Sequence, residues 1–201
     1  MAEPFETTVV GSMPKPPWLY RHSKRDIEGS DYNSPGSDWC LSGQELHEAQ
    51  NDAVRLSVYD QETAGVRIIT DGEQRRKSCL THITSKLGGI DYEVLSEKWI
   101  RDGSRLAQVG RCISPIEWLG PIVVDELTFL LTQTTSPVKV TLPGPMTVVD
   151  SIADEFYGDE QSLGLAVAKA LNEEARALDS LGAAVIQFDE PVFSRYPDKV
   201  A

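Results

Sequence analysis

The sequence lacks any long hydrophobic segment and any excess of positive charge. No stretch approaches the roughly 20 apolar residues that a membrane span needs, and residues 1–6 carry neither the basic start nor the apolar core of a signal peptide. Acidic residues number 31 against 19 Lys and Arg, so the formal net charge is −12. Such a chain would repel a phosphate backbone and an anionic lipid surface. We therefore expect a cytoplasmic protein with no nucleic-acid partner and no membrane partner.

Cysteine is scarce, and the common enzyme fingerprints are missing. Cys40, Cys79 and Cys112 form an odd set in a chain without a secretion signal, so we expect free thiols. Neither glycine fingerprint for a bound nucleotide follows the first apolar run, and the hydrolase pattern G-x-S-x-G is absent. Cys79 and His82 have the spacing of a metal-ligand pair, with Cys112 as a third ligand, but isolated pairs of this kind arise by chance. We assign no metal ligand within this sequence.

Short apolar, β-branched runs alternate with helical segments. Each run ends at a polar or Gly/Pro cluster, which is the rhythm of βαβ units. The predicted strands are residues 7–10, 66–70, 107–110, 138–142 and 184–188. The predicted helices lie between Ser42 and Gly65, over 123–131 and over 161–181.

The helices carry start signals and apolar stripes. Ser42 followed by Glu45 fits a capping box. The second helix is nearly all apolar, which predicts burial on more than one face, whereas His47 and His22 are predicted at the surface. The apolar stripes are Leu46, Ala49, Ala53 and Leu56 in the first helix and Leu163, Val167, Ala170, Leu171, Leu178 and Leu181 in the third.

Near-continuous apolar strands separated by helices favour a mainly parallel sheet covered on both faces. An open doubly wound sheet and a closed (β/α)8 TIM barrel both satisfy this pattern, and the missing glycine fingerprint favours the barrel. A barrel needs eight strands, whereas this sequence provides about five. We expect residues 1–201 to form a single, incomplete α/β barrel domain that is truncated after about five strands or completed by another polypeptide.

Polar residues cluster where the predicted strands end, which is where parallel α/β folds gather their active sites. Residues 71–73 (Asp-Gly-Glu) and 189–191 (Asp-Glu-Pro) would place carboxylates around one mouth, suited to an ammonium group or to proton transfer. The alternative is that each carboxylate caps the next helix. Gly11 and Ser12, at the same rim, offer backbone N–H groups and a hydroxyl to a carboxylate or carbonyl.

Two further strand ends leave alternatives open. Arg111 and Cys112 place a cation and a thiol after the third strand. Arg111 is as well suited to pair with Asp71 or Glu73 as to bind a ligand. Residues 143–145 (Pro-Gly-Pro) form either a rigid turn that lets a ligand approach the backbone or an ordinary turn.

These segments resemble, in order, the catalytic barrel of the cobalamin-independent methionine synthase family. The resemblance covers residues 7–195, and the wider superfamily of uroporphyrinogen decarboxylase-like and coenzyme M transferases shares the barrel. Its motifs are residues 9–14 (Val-Val-Gly-Ser-Met-Pro), 71–73, 111–113 (Arg-Cys-Ile), 142–147 (Leu-Pro-Gly-Pro-Met-Thr) and 186–191 (Ile-Gln-Phe-Asp-Glu-Pro).

The resemblance implies a methyltransferase that methylates the thiol of homocysteine to form methionine, with zinc holding that thiol as a thiolate. By position, Glu73 and Asp189 would bind the ammonium group of the amino acid as the catalytic pair. The other substrate-binding residues implied are Val10, Gly11 and Ser12 for the carboxylate, and Arg111 and Cys112 for the methyl-folate donor.

Departures from the family pattern bear on the metal and the donor. The family's zinc ligands, a His-x-Cys pair, a Glu and a final Cys, are expected downstream of Ala201 rather than within this sequence. A tryptophan expected beside the pterin is replaced near Ser151, and Arg195 stands where an acidic residue is expected. The donor is therefore either a methyl-folate or a methyl-corrinoid. The alternative functions are a thiol-alkyl transferase of the coenzyme M type and an inactive truncated fragment without a zinc site.

Overall fold

The computed structural model describes residues 5–21, 38–101 and 103–195. His22 lies outside these residues. In chain order, the helices are α1 (Gly43–Thr63), α2 (Thr81–Thr84), α3 (Val124–Leu131), α4 (Pro145–Ser151), α5 (Glu160–Ser180) and α6 (Val192–Arg195). The strands are β1 (Tyr20–Arg21), β2 (Asp38–Trp39), β3 (Leu87–Ile100), β4 (Arg105–Trp118), β5 (Lys139–Pro143), β6 (Ala153–Asp154) and β7 (Val185–Asp189). The fold is therefore of the α/β class, and none of the described helices is both long and apolar enough to cross a membrane.

The chain divides into two compact units. The first comprises residues 1–79, 125–140 and 181–185, and the second comprises residues 80–124, 141–180 and 186–201. Strands β5 and β7 each begin in the first unit and end in the second.

Three of the predicted strands are parallel neighbours in the first unit. Thr8 forms a parallel bridge with Ile68, and Ile69 forms one with Val138. The Ile69 amide donates to the Pro137 carbonyl at 2.9 Å, and the Lys139 amide donates to the Ile69 carbonyl at 2.8 Å. Runs 7–10, 66–70 and 138–142 are thus joined side by side, as a βαβ pattern requires.

Helix α1 is confirmed, but its predicted cap is wrong, and of its predicted stripe only Ala53 is fully buried. The Ser42 side chain makes no capping hydrogen bond, and Leu56 is 47% exposed. The buried face consists of Ala53, Val54, Ser57, Val58 and Gln61. Hydropathy missed this face because two of its five members are polar.

The predicted third strand, 107–110, is part of a hairpin rather than a βαβ unit. It lies within β4, which pairs antiparallel with β3 over a register running from Leu87↔Trp118 to Ile100↔Arg105. β4 also pairs in parallel with β6. The run was correctly predicted as extended, but its hairpin neighbour β3 was not predicted.

The remaining helices follow their predictions in part. In α5 the predicted stripe is buried except Leu181, which lies beyond its end and is 41% exposed. In α3 burial is confined to Glu126, Leu127 and Leu130, and Leu131 is 37% exposed. The prediction that this helix is buried on more than one face is therefore wrong.

Candidate active site

Residues 9–13 follow the first predicted strand and are held at several points within the first unit. The Met13 amide donates to the Gly72 carbonyl at 3.0 Å, and the Gln74 side-chain amide donates to the Met13 carbonyl at 3.1 Å. The Ser12 hydroxyl donates to the Glu73 carboxylate. Two of the predicted site residues, Ser12 and Glu73, are thus in direct contact.

Glu73 is positioned by a tight turn after residues 66–70. Gly72 and Glu73 both have positive φ, 63° and 55°, and the Glu73 amide donates to Asp71 Oδ1 at 2.9 Å. A glutamate rarely adopts this left-handed conformation, and such strain is concentrated at functional sites. A Cβ on Gly72 would collide with the Ser57 hydroxyl, so the turn requires glycine there. The turn holds Glu73 at 3% exposure.

A buried cluster of charges surrounds this turn. Arg76 Nε donates to Glu126 Oε2 at 3.0 Å, and Arg76 Nη1 lies 3.9 Å from Glu73 Oε1. Burial opposes the charge of Arg76, but the carboxylates of Glu126, Asp71 and Glu73 raise its pKa. Burial also raises the pKa of Asp71. Arg76 therefore lies within ion-pair distance of one oxygen of Glu73, and the hydroxyl of Ser12 donates a hydrogen bond to the other.

Lys139, at the start of β5, is a buried neighbour of the predicted site that was not predicted from the sequence. It is 2% exposed, and its ammonium group donates to the Val9 carbonyl at 2.6 Å and to the Val10 carbonyl at 3.2 Å. A lysine inside the buried run 138–142 is itself an unusual signal, since lysine is almost never fully buried without partners.

Asp189 and Glu190 are fixed within the second unit. The Asp189 carbonyl accepts the Gly144 amide at 2.8 Å, and Gln187 Nε2 donates to Asp189 Oδ1. Glu190 accepts the Met146 and Thr147 amides at 2.7 and 2.9 Å and the Thr147 hydroxyl at 2.8 Å. Glu190 therefore caps α4, an earlier helix, rather than the next helix of the chain as the structural alternative supposed.

Residues 143–145 form a turn that a side chain approaches closely. A Cβ on Gly144 would collide with the carboxyl group of Glu190. Glycine is needed here because Glu190 packs against the backbone. Glu190 makes a close approach to the Gly144 backbone, and the approach of a ligand to this segment stays a prediction.

Arg111 and Cys112 lie together on β4 in the second unit. Arg111 pairs with Asp91 at 2.5 Å and with Glu155 at 3.1 Å, two partners that the sequence analysis did not name. The hydrogen bond from Arg111, followed in size by the one from the Glu93 amide, holds the pKa of Asp91 below its usual range. Cys112 is fully buried, and burial together with Asp154 raises its pKa from 9.0 to about 11.

The zinc ion implied by the resemblance does not fit these residues. Across residues 5–21, 38–101 and 103–195, no group of three or more His, Cys, Asp and Glu side chains could hold a metal ion. Zinc binding displaces the thiol proton, and the raised pKa of Cys112, about 11, makes that displacement costlier than at an ordinary cysteine. No zinc ligand is assigned in this part of the chain.

Comparison with known proteins identifies the family. The model for the catalytic domain of cobalamin-independent synthases matches residues 5–197. The chain belongs to the cobalamin-independent methionine synthase family. Methionine synthases of Sulfurisphaera tokodaii and Pyrococcus abyssi are 31% and 32% identical to it, each over 96% of this chain and 54% of their own length.

A solved family member has the same fold. The structure of a B12-independent methionine synthase from Shewanella sp. W3-18-1, in complex with selenomethionine, is 39% identical, with a TM-score of 0.84. It is matched over 96% of this chain and 54% of that one. This chain thus spans about half the length of its methionine synthase relatives.

The predicted site residues fall into two sets. Val10, Gly11, Ser12 and Glu73 lie in the first unit, and Arg111, Cys112 and Asp189 lie in the second. The contact between Ser12 and Glu73 brings together two residues with different implied roles. The shared binding of one ammonium group by Glu73 and Asp189 stays a prediction.

Proposed function

We propose that this chain is the amino-acid-binding part of a methionine synthase catalytic barrel and that it binds homocysteine as a methyl acceptor. The observation that carries the proposal is the bond from Ser12 to Glu73, because it links the loop implied for the substrate carboxylate to the side chain implied for its ammonium group. An α-amino acid presents these two groups a few ångströms apart.

In this proposal each side of the amino acid has its own residues. Val10, Gly11 and Ser12 bind the carboxylate through backbone N–H groups and the hydroxyl, and Glu73 and Asp189 bind the ammonium group. Arg76 supports the position of Glu73, since its buried guanidinium lies 3.9 Å from Glu73 Oε1. Membership of the family supports the amino-acid class of ligand.

The reaction proposed is methyl transfer to sulfur. The homocysteine thiol loses its proton to solvent, and its sulfur then forms a bond to the methyl carbon. The bond from that carbon to the donor breaks, and its electron pair stays on the donor, which is a methyl-folate or a methyl-corrinoid. Arg111 and Cys112 are proposed to lie beside the donor. The alternative acceptor, coenzyme M, carries a sulfonate and no ammonium group, so the buried carboxylate of Glu73 favours the amino acid.

Calorimetric titration of the chain with L-methionine, the reaction product, tests the proposal. We expect saturable binding that Ser12→Ala weakens about tenfold, because that variant loses a hydrogen bond to charged groups. Ser42→Ala is the matched control, since its side chain makes no capping bond, and it should leave binding unchanged. If the chain binds 2-mercaptoethanesulfonate but neither methionine nor homocysteine, the coenzyme M alternative is correct and the proposal is wrong.

A further inference from the structure

Lys139 reaches the substrate loop from a distant part of the chain. It lies 130 residues after Val9, yet its ammonium group donates to two consecutive carbonyls of that loop. With 2% of its surface exposed, the side chain is in place before any ligand arrives.

The two hydrogen bonds from Lys139 also set the direction of the neighbouring N–H groups, because each peptide unit is planar. In a trans peptide the carbonyl of one residue and the N–H of the next point to opposite sides of the bond. The Val9 carbonyl shares its peptide unit with the Val10 N–H, and the Val10 carbonyl shares its unit with the Gly11 N–H. When Lys139 holds both carbonyls, the N–H groups of Val10 and Gly11 must point away from it.

The same bonds add an electrostatic effect. A cation at the carbonyl end of a peptide unit polarises that unit, and hydrogen bonds in series strengthen one another in a poorly solvated site. The Val10 and Gly11 N–H groups become stronger donors to an anion on their side of the loop.

We propose that Lys139 is a positioning residue that orients and polarises the Val10 and Gly11 N–H groups so that they bind the carboxylate of the amino-acid substrate. This inference rests on the proposed function, because it concerns the same ligand. In this role Lys139 acts from the carbonyl side of the loop. Met13 and Gln74 tether the other end, so removal of Lys139 is expected to loosen the segment around Val9 and Val10 first.

The test distinguishes binding of the ligand's carboxylate from binding of its ammonium group. L-Methionine carries both charged groups, whereas 3-(methylthio)propylamine lacks the carboxylate. For Lys139→Met, we expect calorimetry to show about ten- to a hundredfold weaker binding of methionine, with the dissociation constant of the amine unchanged. Lys169→Met removes a lysine from the exposed side of α5 and should change neither. Equal loss for both ligands, or no loss for methionine, would overturn the proposal.

Amide hydrogen exchange gives a second readout. In the wild-type chain, methionine should slow exchange of the Val10 and Gly11 N–H groups, and the amine should not. This measurement decides the matter if Lys139→Met does not fold, and absence of protection by bound methionine would contradict the proposal.

The two proposals can fail separately. If the wild-type chain binds neither ligand, the proposed function is wrong. The orienting role of Lys139 is then judged from the free protein, where Lys139→Met should speed exchange over residues 7–12 and leave α1 unchanged. Unchanged exchange over residues 7–12 would refute that role.

Discussion

Glu73 owes its position to its neighbours in sequence. The positive φ of Gly72 and Glu73 turns the chain sharply after residues 66–70, and Asp71 closes the turn by accepting the Glu73 amide. The Asp-Gly-Glu motif is therefore one local structure in which each residue has a distinct part. Asp71 shapes the turn, Gly72 provides the space beside Ser57, and Glu73 presents its carboxylate.

Cys112 differs from the other cysteines in its chemistry. Only the thiolate form is alkylated, and a thiol with a pKa of about 11 is ionised in roughly one molecule per thousand at pH 8. Iodoacetamide should therefore modify exposed Cys79 much faster than Cys112. Because the thiolate fraction rises as pH rises toward the pKa, the rate at Cys112 should increase about tenfold per pH unit between pH 7 and 9.

Peptide mapping by mass spectrometry after timed alkylation checks this prediction, with Cys79 in the same molecule as the reference. Labelling of Cys112 as fast as Cys79 at pH 7 would show that its thiol is neither buried nor raised in pKa.

At the level of elements, two motifs that are separate in sequence form one hydrogen-bonded structure. Residues 144–147 begin α4, and Glu190, directly after β7, accepts three hydrogen bonds from Met146 and Thr147. The Gly144 amide donates to the Asp189 carbonyl. The end of β7 and the start of α4 therefore fix each other, and Asp189 lies between them.

Truncation of Glu190 should loosen this junction. Glu190→Ala is expected to lower the free energy of unfolding by about 1–3 kcal/mol, since it removes hydrogen bonds to a charged group at a helix N-terminus. Glu117→Ala, which removes an exposed carboxylate from β4, is the control and should cost far less. Urea unfolding curves measure both, and equal effects of the two variants would contradict the capping role.

The helices and strands could be predicted from the sequence better than the contacts that their side chains make. The apolar runs and the boundaries of α1, α3 and α5 were predictable because periodicity and terminal glycine are local signals. The buried face of α1 was not, because Gln61 is buried by exchanging hydrogen bonds with the backbone of Thr70, 2.8 Å to its carbonyl and 2.9 Å from its amide. Hydropathy does not indicate when a polar side chain is buried because it makes the backbone hydrogen bonds that a neighbouring strand would otherwise make.

The β3–β4 hairpin had a local signal that the βαβ interpretation overlooked. Gly103 lies between two extended runs, and its positive φ of 69° is the conformation for which hairpin turns use glycine. The Ser104 amide donates to the Arg101 carbonyl at 3.2 Å, as expected beside such a turn. The pair of Arg111 with Asp91 follows from this hairpin. Glu155 is brought to Arg111 by the pairing of β4 with β6, so neither partner could be predicted from the βαβ pattern.

For the whole molecule, the central feature is the separation of the predicted site residues in sequence. The chain contributes the loop at 9–13, the turn at 71–73 and the end of β7 at 189, and it spans about half the length of its relatives. These positions could be found from the sequence because each lies where an apolar run, predicted as a strand, comes to its end. Lys139 and Arg76 were missed because their roles depend on contacts between segments far apart in sequence.

The central claim is that Glu73 and Asp189 together bind the ammonium group of the amino acid. The most direct test is calorimetric titration of Glu73→Gln and Asp189→Asn with L-methionine and with 4-(methylthio)butanoate, which lacks the amino group. Asp179→Asn, at an exposed position of α5, is the control. We predict that each site variant weakens methionine binding by about tenfold or more, since a charge partner is lost, and leaves the butanoate unaffected. Equal weakening for both ligands, or none for either, would contradict the claim.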